Sequence, residues 1–106
     1  MSDSRPDAPR VVDNPEAKRY EAYVGDELAG FAEYIRTQNL IAFVHTEVKE
    51  AFEGRGIGGA IVRASLDEAR AAGIPVLTVC PFYTAWVARH PEYKDLIYMS
   101  GSRVTD

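Results

Sequence analysis

Between residues 54 and 59 the chain reads Gly-Arg-Gly-Ile-Gly-Gly, four glycines in six positions that leave a strip of main chain almost free of side-chain bulk. Where such a strip opens a helix, several backbone N–H groups lack an intrahelical partner, and the positive end of the helix dipole stands behind them. Donors arranged in this way suit phosphate oxygens. A Walker-type loop would need Lys-Ser or Lys-Thr after its last glycine, whereas Ala60 follows Gly59. A dinucleotide fingerprint belongs to the first βα turn of a larger doubly wound domain, with an acidic residue closing the next strand; that strand here ends in Cys80. The plain alternative is a turn that packs a helix tightly on a sheet. One glycine would serve that purpose, and four carry an entropic cost that packing alone does not require.

Three other residues carry chemistry. Cys80 directly precedes Pro81, which places it at the N-cap of a helix, where free N–H groups stabilise a thiolate and could equip a nucleophile. The alternative for a lone cysteine is a small buried hydrophobe. His45 and Glu47 are two apart and share a strand face, so either could take a proton from an amine. Against that stands the reading of both as an exposed polar face. Tyr83 and Tyr93 are conceivable proton donors, though tyrosines in such settings more often belong to core or rim. His90, before Pro91, reads as a helix-end cap, and Trp86, at helical spacing with Phe82 and Arg89, reads as packing.

These residues need elements to position them. Residues 1–17 mix Pro6, Pro9 and Pro15 with Asp and Arg and read as a mobile leader. Three strand-like runs follow, at residues 19–24, 27–36 and 40–48, with a turn at Gly25-Asp26 and a break at Thr37-Gln38-Asn39. Short links make an antiparallel meander the simplest arrangement. A helix is predicted over residues 57–72 from the spacing of Ile57, Ile61, Val62, Leu66 and Ala69, and Gly73 with Pro75 stops it. Residues 75–80 read as a buried central strand, parallel to residues 40–48 because a helix joins them. Pro81 then opens a second helix over residues 82–89. Residues 92–99 form a short last strand or a docked extension, within a domain spanning 18–99, and 100–106 a loose tail.

The bulk properties exclude several classes. At 106 residues the chain is one domain, with no apolar run of membrane-spanning length and no secretory signal pattern. A net charge of −4 speaks against nucleic acid as the main partner and mildly favours a cationic one. A single cysteine excludes an internal disulfide and fits a reducing cytoplasm. No metal site is expected.

Taken together, His45-Thr46-Glu47-Val48, then Phe52-Glu53-Gly54-Arg55-Gly56-Ile57-Gly58-Gly59-Ala60, the helix, the strand ending at Cys80 and Pro91-Glu92-Tyr93 resemble the GNAT acetyltransferase superfamily. More narrowly, they resemble its short, stand-alone branch of about a hundred residues. The resemblance covers residues 19–97. It implies an α+β fold with a mixed, mostly antiparallel sheet, a splayed parallel pair and helices packed on the sheet. It implies acetyl-coenzyme A as cofactor, its pyrophosphate held on the backbone of Gly54, Arg55, Gly56, Ile57, Gly58 and Gly59. The main chain of Val48 would pair with the pantetheine arm. Glu53 stands where the family more often has Gln or Arg and adds no positive charge. The implied function is N-acetyl transfer to a protein or small-molecule amine, mostly by direct attack on the thioester, which speaks against a covalent role for Cys80. Cys80, Glu47 and His45 remain the catalytic candidates on their own chemistry, and the alternative function is a non-catalytic acyl-coenzyme A binding module. The protein is expected to be a monomer or weak homodimer.

Overall fold

The computed structural model describes residues 8–98. Five strands form one sheet in chain order: β1 (Arg10–Asn14), β2 (Arg19–Val24), β3 (Glu27–Arg36), β4 (Ile41–Val48) and β5 (Val76–Thr78). The first four pair antiparallel and β5 runs parallel to β4, so the mixed, mostly antiparallel α+β sheet is as the residue pattern predicts. Helix α1 (Ile57–Ala72) joins β4 to β5, and α2 (Pro81–Arg89) follows β5.

The leader reading of residues 1–17 is corrected over its described part. Arg10–Asn14 is a strand, in register with Arg19–Tyr23 of β2. Its two valines supply β propensity, and the prolines flank it without interrupting it. Pro15 sits in the connecting turn, where Ala17 N–H donates to Asn14 O at 3.1 Å and Lys18 N–H to Pro15 O at 3.1 Å. Residues 1–7, and the predicted tail 100–106, lie outside the described residues. Of the predicted last segment, Met99 lies outside the described residues, and residues 92–98 are a docked extension: Pro91–Leu96 is a 3₁₀ segment, and Ile97 makes a single parallel bridge to Val76.

The core lies on one face of the sheet. Tyr20, Tyr34 and Phe43 pack their rings at 5.6 to 6.1 Å, and Tyr83 of α2 stacks on Phe43 at 4.3 Å. Ile57, Ile61, Val62, Leu66 and Ala69 of α1 complete it, each large aliphatic side chain contributing about 1.5–3 kcal/mol by leaving water. The Tyr83 hydroxyl sits 2.7 Å from Ser65 Oγ. Ser65 donates to Val62 O, so Tyr83 is the donor to Ser65, and burial raises its pKa. The opposite face carries a polar and aromatic row: Arg19 bonds Glu21 at 2.7 Å and lies 4.4 Å over the Phe31 ring, which neighbours His45 at 6.2 Å.

Candidate functional site

The site grows from a mismatch of strand lengths. β5 pairs with β4 only at Ile41, Ala42 and Phe43, while β4 continues five residues further, to Val48, along β3. At the end of the parallel pairing, Val79 and Cys80 both donate N–H to Phe43 O, at 3.1 and 2.8 Å, and the chain then turns into α2. Past that point β4 and β5 diverge, and the edge of β4 facing β5 is left without a strand.

A bulge decides what that edge presents. Tyr34 pairs with Phe43 and Glu33 with His45, so Val44 has no partner and the alternation of β4 flips by one residue. Phe43 O faces β5, whereas Lys49 N–H faces β3, donating to Ala29 O at 2.8 Å. With His45 and Glu47 paired to β3, the main-chain groups of Thr46 and Val48 turn into the cleft. The Val48 main chain, which the resemblance pairs with the pantetheine arm, is one of these groups.

The glycine strip closes one end of the cleft. After a 3₁₀ turn at Glu50–Phe52, Gly54 and Gly56 take φ of 83° and 78°, a region that suits only glycine without strain, and Gly56 is the N-cap of α1. The first intrahelical bond is Ala60 N–H to Gly56 O at 3.0 Å, which leaves the N–H groups of Ile57, Gly58 and Gly59 without a helical partner. Gly58 has a packing reason as well, because a Cβ there would stand 2.7 Å from the ring of Phe82. Two glycines thus set the turn and one admits an aromatic ring. The requirement for the run is more structural than the entropic argument allowed, and it leaves three amides without a helical partner. The Arg55 guanidinium lies 5.3 Å over the Phe52 ring at the start of the loop.

The chemistry-bearing side chains divide between the two faces of the sheet. Cys80 is the N-cap of α2 as predicted, but its side chain makes no capping bond, which corrects the expected thiolate arrangement. Cys80 is 5% exposed, and its sulfur lies 3.4 Å from Thr46 Oγ1, bridging the narrow end of the cleft. His45 and Glu47 point to the other face, exposed, with Nε2 and Oε1 3.2 Å apart. Cys80 is therefore not brought together with Glu47 and His45. Neither tyrosine serves as a proton donor in the cleft: Tyr83 is buried against Ser65, and Tyr93 donates to Asp67 Oδ1 at 2.7 Å on the outer side of α1. His90 does cap α2, its N–H donating to Val87 O at 2.9 Å. Its Nδ1 is 2.8 Å from Trp86 O, an atom that can only accept, so Nδ1 carries the proton.

Gly30 was not singled out from the sequence. A Cβ there would meet Glu47 O at 2.7 Å, Ile57 Cγ2 at 3.2 Å and Val48 Cα at 3.3 Å, so this bare position lets β3, the end of β4 and the first residue of α1 converge. The only signal was an isolated glycine inside a strand pattern. Among the described residues no cluster of His, Cys, Asp or Glu could hold a metal ion, and no helix is long and apolar enough to cross a membrane.

The fold has counterparts among known proteins. In fold, the chain is similar to a Staphylococcus aureus protein described as GCN5-like, at a TM-score of 0.65 and 18% identity, over 84% of this chain and 87% of that one. It is also similar to Ard1 from Thermoplasma volcanium, at a TM-score of 0.51 and 23% identity over 58% of this chain, and spans 43% of that protein's length. No curated protein gives a match. The family model for GCN5-related N-acetyltransferases matches residues 19–96, from the start of β2 to the end of the final 3₁₀ segment, and the chain belongs to that family.

Proposed function

We propose that the protein moves an acetyl group from acetyl-coenzyme A to an amine. The observation that carries this reading is the meeting of three unpartnered amides at the N-terminus of α1 with the strandless edge of β4. The Ile57, Gly58 and Gly59 amides would take the pyrophosphate, with Gly54 and Gly56 shaping the approach and Arg55 near the loop. The main chain of Val48 would align the pantetheine arm, and the neighbouring cleft amides would polarise the thioester carbonyl. When bound, the cofactor supplies an activated acetyl group. Of the residues first considered for proton transfer, Glu47 with His45 suits the role better than Cys80, since both are open to an arriving amine on the face away from the helices. A protein or small-molecule amine fits this exposed face equally well. A lone free cysteine and a monomer or weak homodimer in the cytoplasm complete the proposal.

A second reading, a non-catalytic acyl-coenzyme A binding module, draws on the burial of Cys80 and Tyr83, which leaves the helix face of the cleft without a proton-moving side chain. Release of free coenzyme A that depends on an added amine separates the two.

Calorimetric titration with coenzyme A tests the cofactor site. Gly58→Ala and Gly58→Glu both force the Phe82 ring to move, but only the second adds a carboxylate at the amides. The expected outcome is loss of binding in Gly58→Glu, with Gly58→Ala within about tenfold of the parent. Equal affinity in parent and Gly58→Glu would remove the phosphate from this loop.

A further inference from the structure

The indole of Trp86 reads as packing from its helical spacing, and most of it is. The residue is 5% exposed, its ring stacks on His90 at 3.7 Å, and the Arg63 guanidinium carbon lies 5.2 Å from the ring centre. The one polar atom is not explained by packing. Nε1 stands 3.5 Å from where a Cβ on Gly59 would be, and its N–H finds no acceptor among the described residues. An indole nitrogen can only donate. No wholly buried side-chain nitrogen lacks a partner among the described residues, so this N–H reaches the surface, and it does so beside the free amides of the first turn of α1.

Arg63 stands one helical turn beyond Gly59, about 6 Å along the axis. Its Nη1 is 3.4 Å from the Tyr93 hydroxyl, and the guanidinium is held over both the Trp86 and Tyr93 rings. Amides, indole N–H and guanidinium thus follow one another along the seam between α1 and α2. Within the loop the charges oppose one another, Glu53 being acidic and Arg55, over the Phe52 ring, basic.

We infer that Trp86 Nε1–H and Arg63 extend the amide cradle into a two-part anion site, for a ligand bearing more than one phosphate group. The indole donates to an oxygen of the phosphate held by the Gly59 turn, and Arg63 receives a second anionic group about one turn away. For its natural ligand the inference rests on the proposed cofactor, whose pyrophosphate and separate ribose phosphate meet that requirement.

Trp86 is the single tryptophan of the chain, so its fluorescence reports directly on the site. Titration with pyrophosphate, coenzyme A and pantetheine, which lacks phosphate, is followed in the parent, Trp86→Phe and Arg63→Gln. The phenylalanine keeps a ring in place and removes the donor. Parent emission is expected to change with pyrophosphate and coenzyme A. By calorimetry, Trp86→Phe should weaken both by about tenfold, Arg63→Gln should weaken coenzyme A by about tenfold and pyrophosphate far less, and both should leave pantetheine unchanged, with a flatter salt dependence for coenzyme A in Arg63→Gln. Trp86→Phe binding coenzyme A as the parent does, or losing affinity for pantetheine equally, would overturn the inference; far-ultraviolet circular dichroism and melting confirm that each variant is folded. Pyrophosphate binding that needs Trp86, without any coenzyme A binding, would uphold the anion site and refute the cofactor reading. Binding of neither would overturn both.

Discussion

At the scale of single residues, Cys80 is decided by its neighbours. A helix N-cap suggests an activated thiolate, but the capping side chain must turn its sulfur toward the helix amides, and this one turns to Thr46 instead, 3.4 Å away. Thr46 faces Cys80 because the bulge at Val44 moved it there; without that extra residue the alternation would bring His45 to the same face. A thiol enclosed in this way has little access to reagents. Native protein is expected to label slowly with a maleimide, and denatured protein rapidly. Cys80→Ser keeps a group that can bond Thr46, so the expected cost is about 1 kcal/mol in chemical denaturation, with acetyl transfer near the parent rate. An acetylated Cys80 trapped by mass spectrometry, with turnover lost in the serine variant, would restore the nucleophile.

At the scale of elements, β1 is the addition that the residue pattern concealed, and its anchor is specific. The Tyr34 hydroxyl of β3 donates to Asp13 Oδ1 at 2.6 Å, across β2. Burial first, and then this bond to a carboxylate, push the tyrosine pKa up to about 12. A tyrosine raised above its unfolded value of about 10 contributes stability that is complete below that pH and is lost as pH rises through the folded value. Thermal melting across that alkaline window should show the decline in the parent. Asp13→Asn removes the charge, so the decline should shrink, and stability at neutral pH should fall by about 1 kcal/mol. An unaltered alkaline profile would mean that β1 is held by its backbone ladder alone. Why β1 was missed while β2, β3 and α1 were legible is a matter of signal strength. Alternating Tyr and Ala, the Gly25-Asp26 turn and the 3.6-residue spacing of α1 are local patterns that need no partner to be read. Five residues between two prolines are a strand only because β2 lies alongside. The final segment was ambiguous for a related reason: Leu96 and Ile97 pack on the core as strand residues would, but Pro91 opens a 3₁₀ segment there, and Arg70 of α1 meets Asp95 at 3.0 Å. The glycine loop was legible because main-chain chemistry shows in composition. Trp86 was not, because an indole reads as packing until its Nε1 is seen beside Gly59.

At the scale of the molecule, the helices cover one face of the sheet and leave the other to solvent, so the cleft between β4 and β5 connects two different environments. The loop amides, Cys80 and the Trp86 indole belong to the helix side, and His45 and Glu47 to the open side. On the proposed function, an amine arriving at the open face would meet the Glu47 carboxylate before the thioester. The net charge of −4 favours the approach of a protonated amine, which must then lose a proton to become a nucleophile. This division makes a separable expectation. Glu47→Gln is isosteric, lies on the face away from the loop amides, and leaves the β4 backbone pairing with β3 in place. Coenzyme A affinity by calorimetry should therefore match the parent. Acetyl transfer to a primary amine should fall by about a hundredfold at neutral pH, the scale of a lost general base. The deficit should narrow as pH approaches the pKa of the amine, because bulk solvent then supplies the neutral nucleophile that Glu47 would otherwise generate. His45→Gln should have a smaller effect, since His45 reaches the amine through Glu47, 3.2 Å away. A Glu47→Gln enzyme with parental kcat at every pH would show that the proton leaves by another route, and a parallel loss of coenzyme A affinity would place Glu47 on the cofactor side of the sheet.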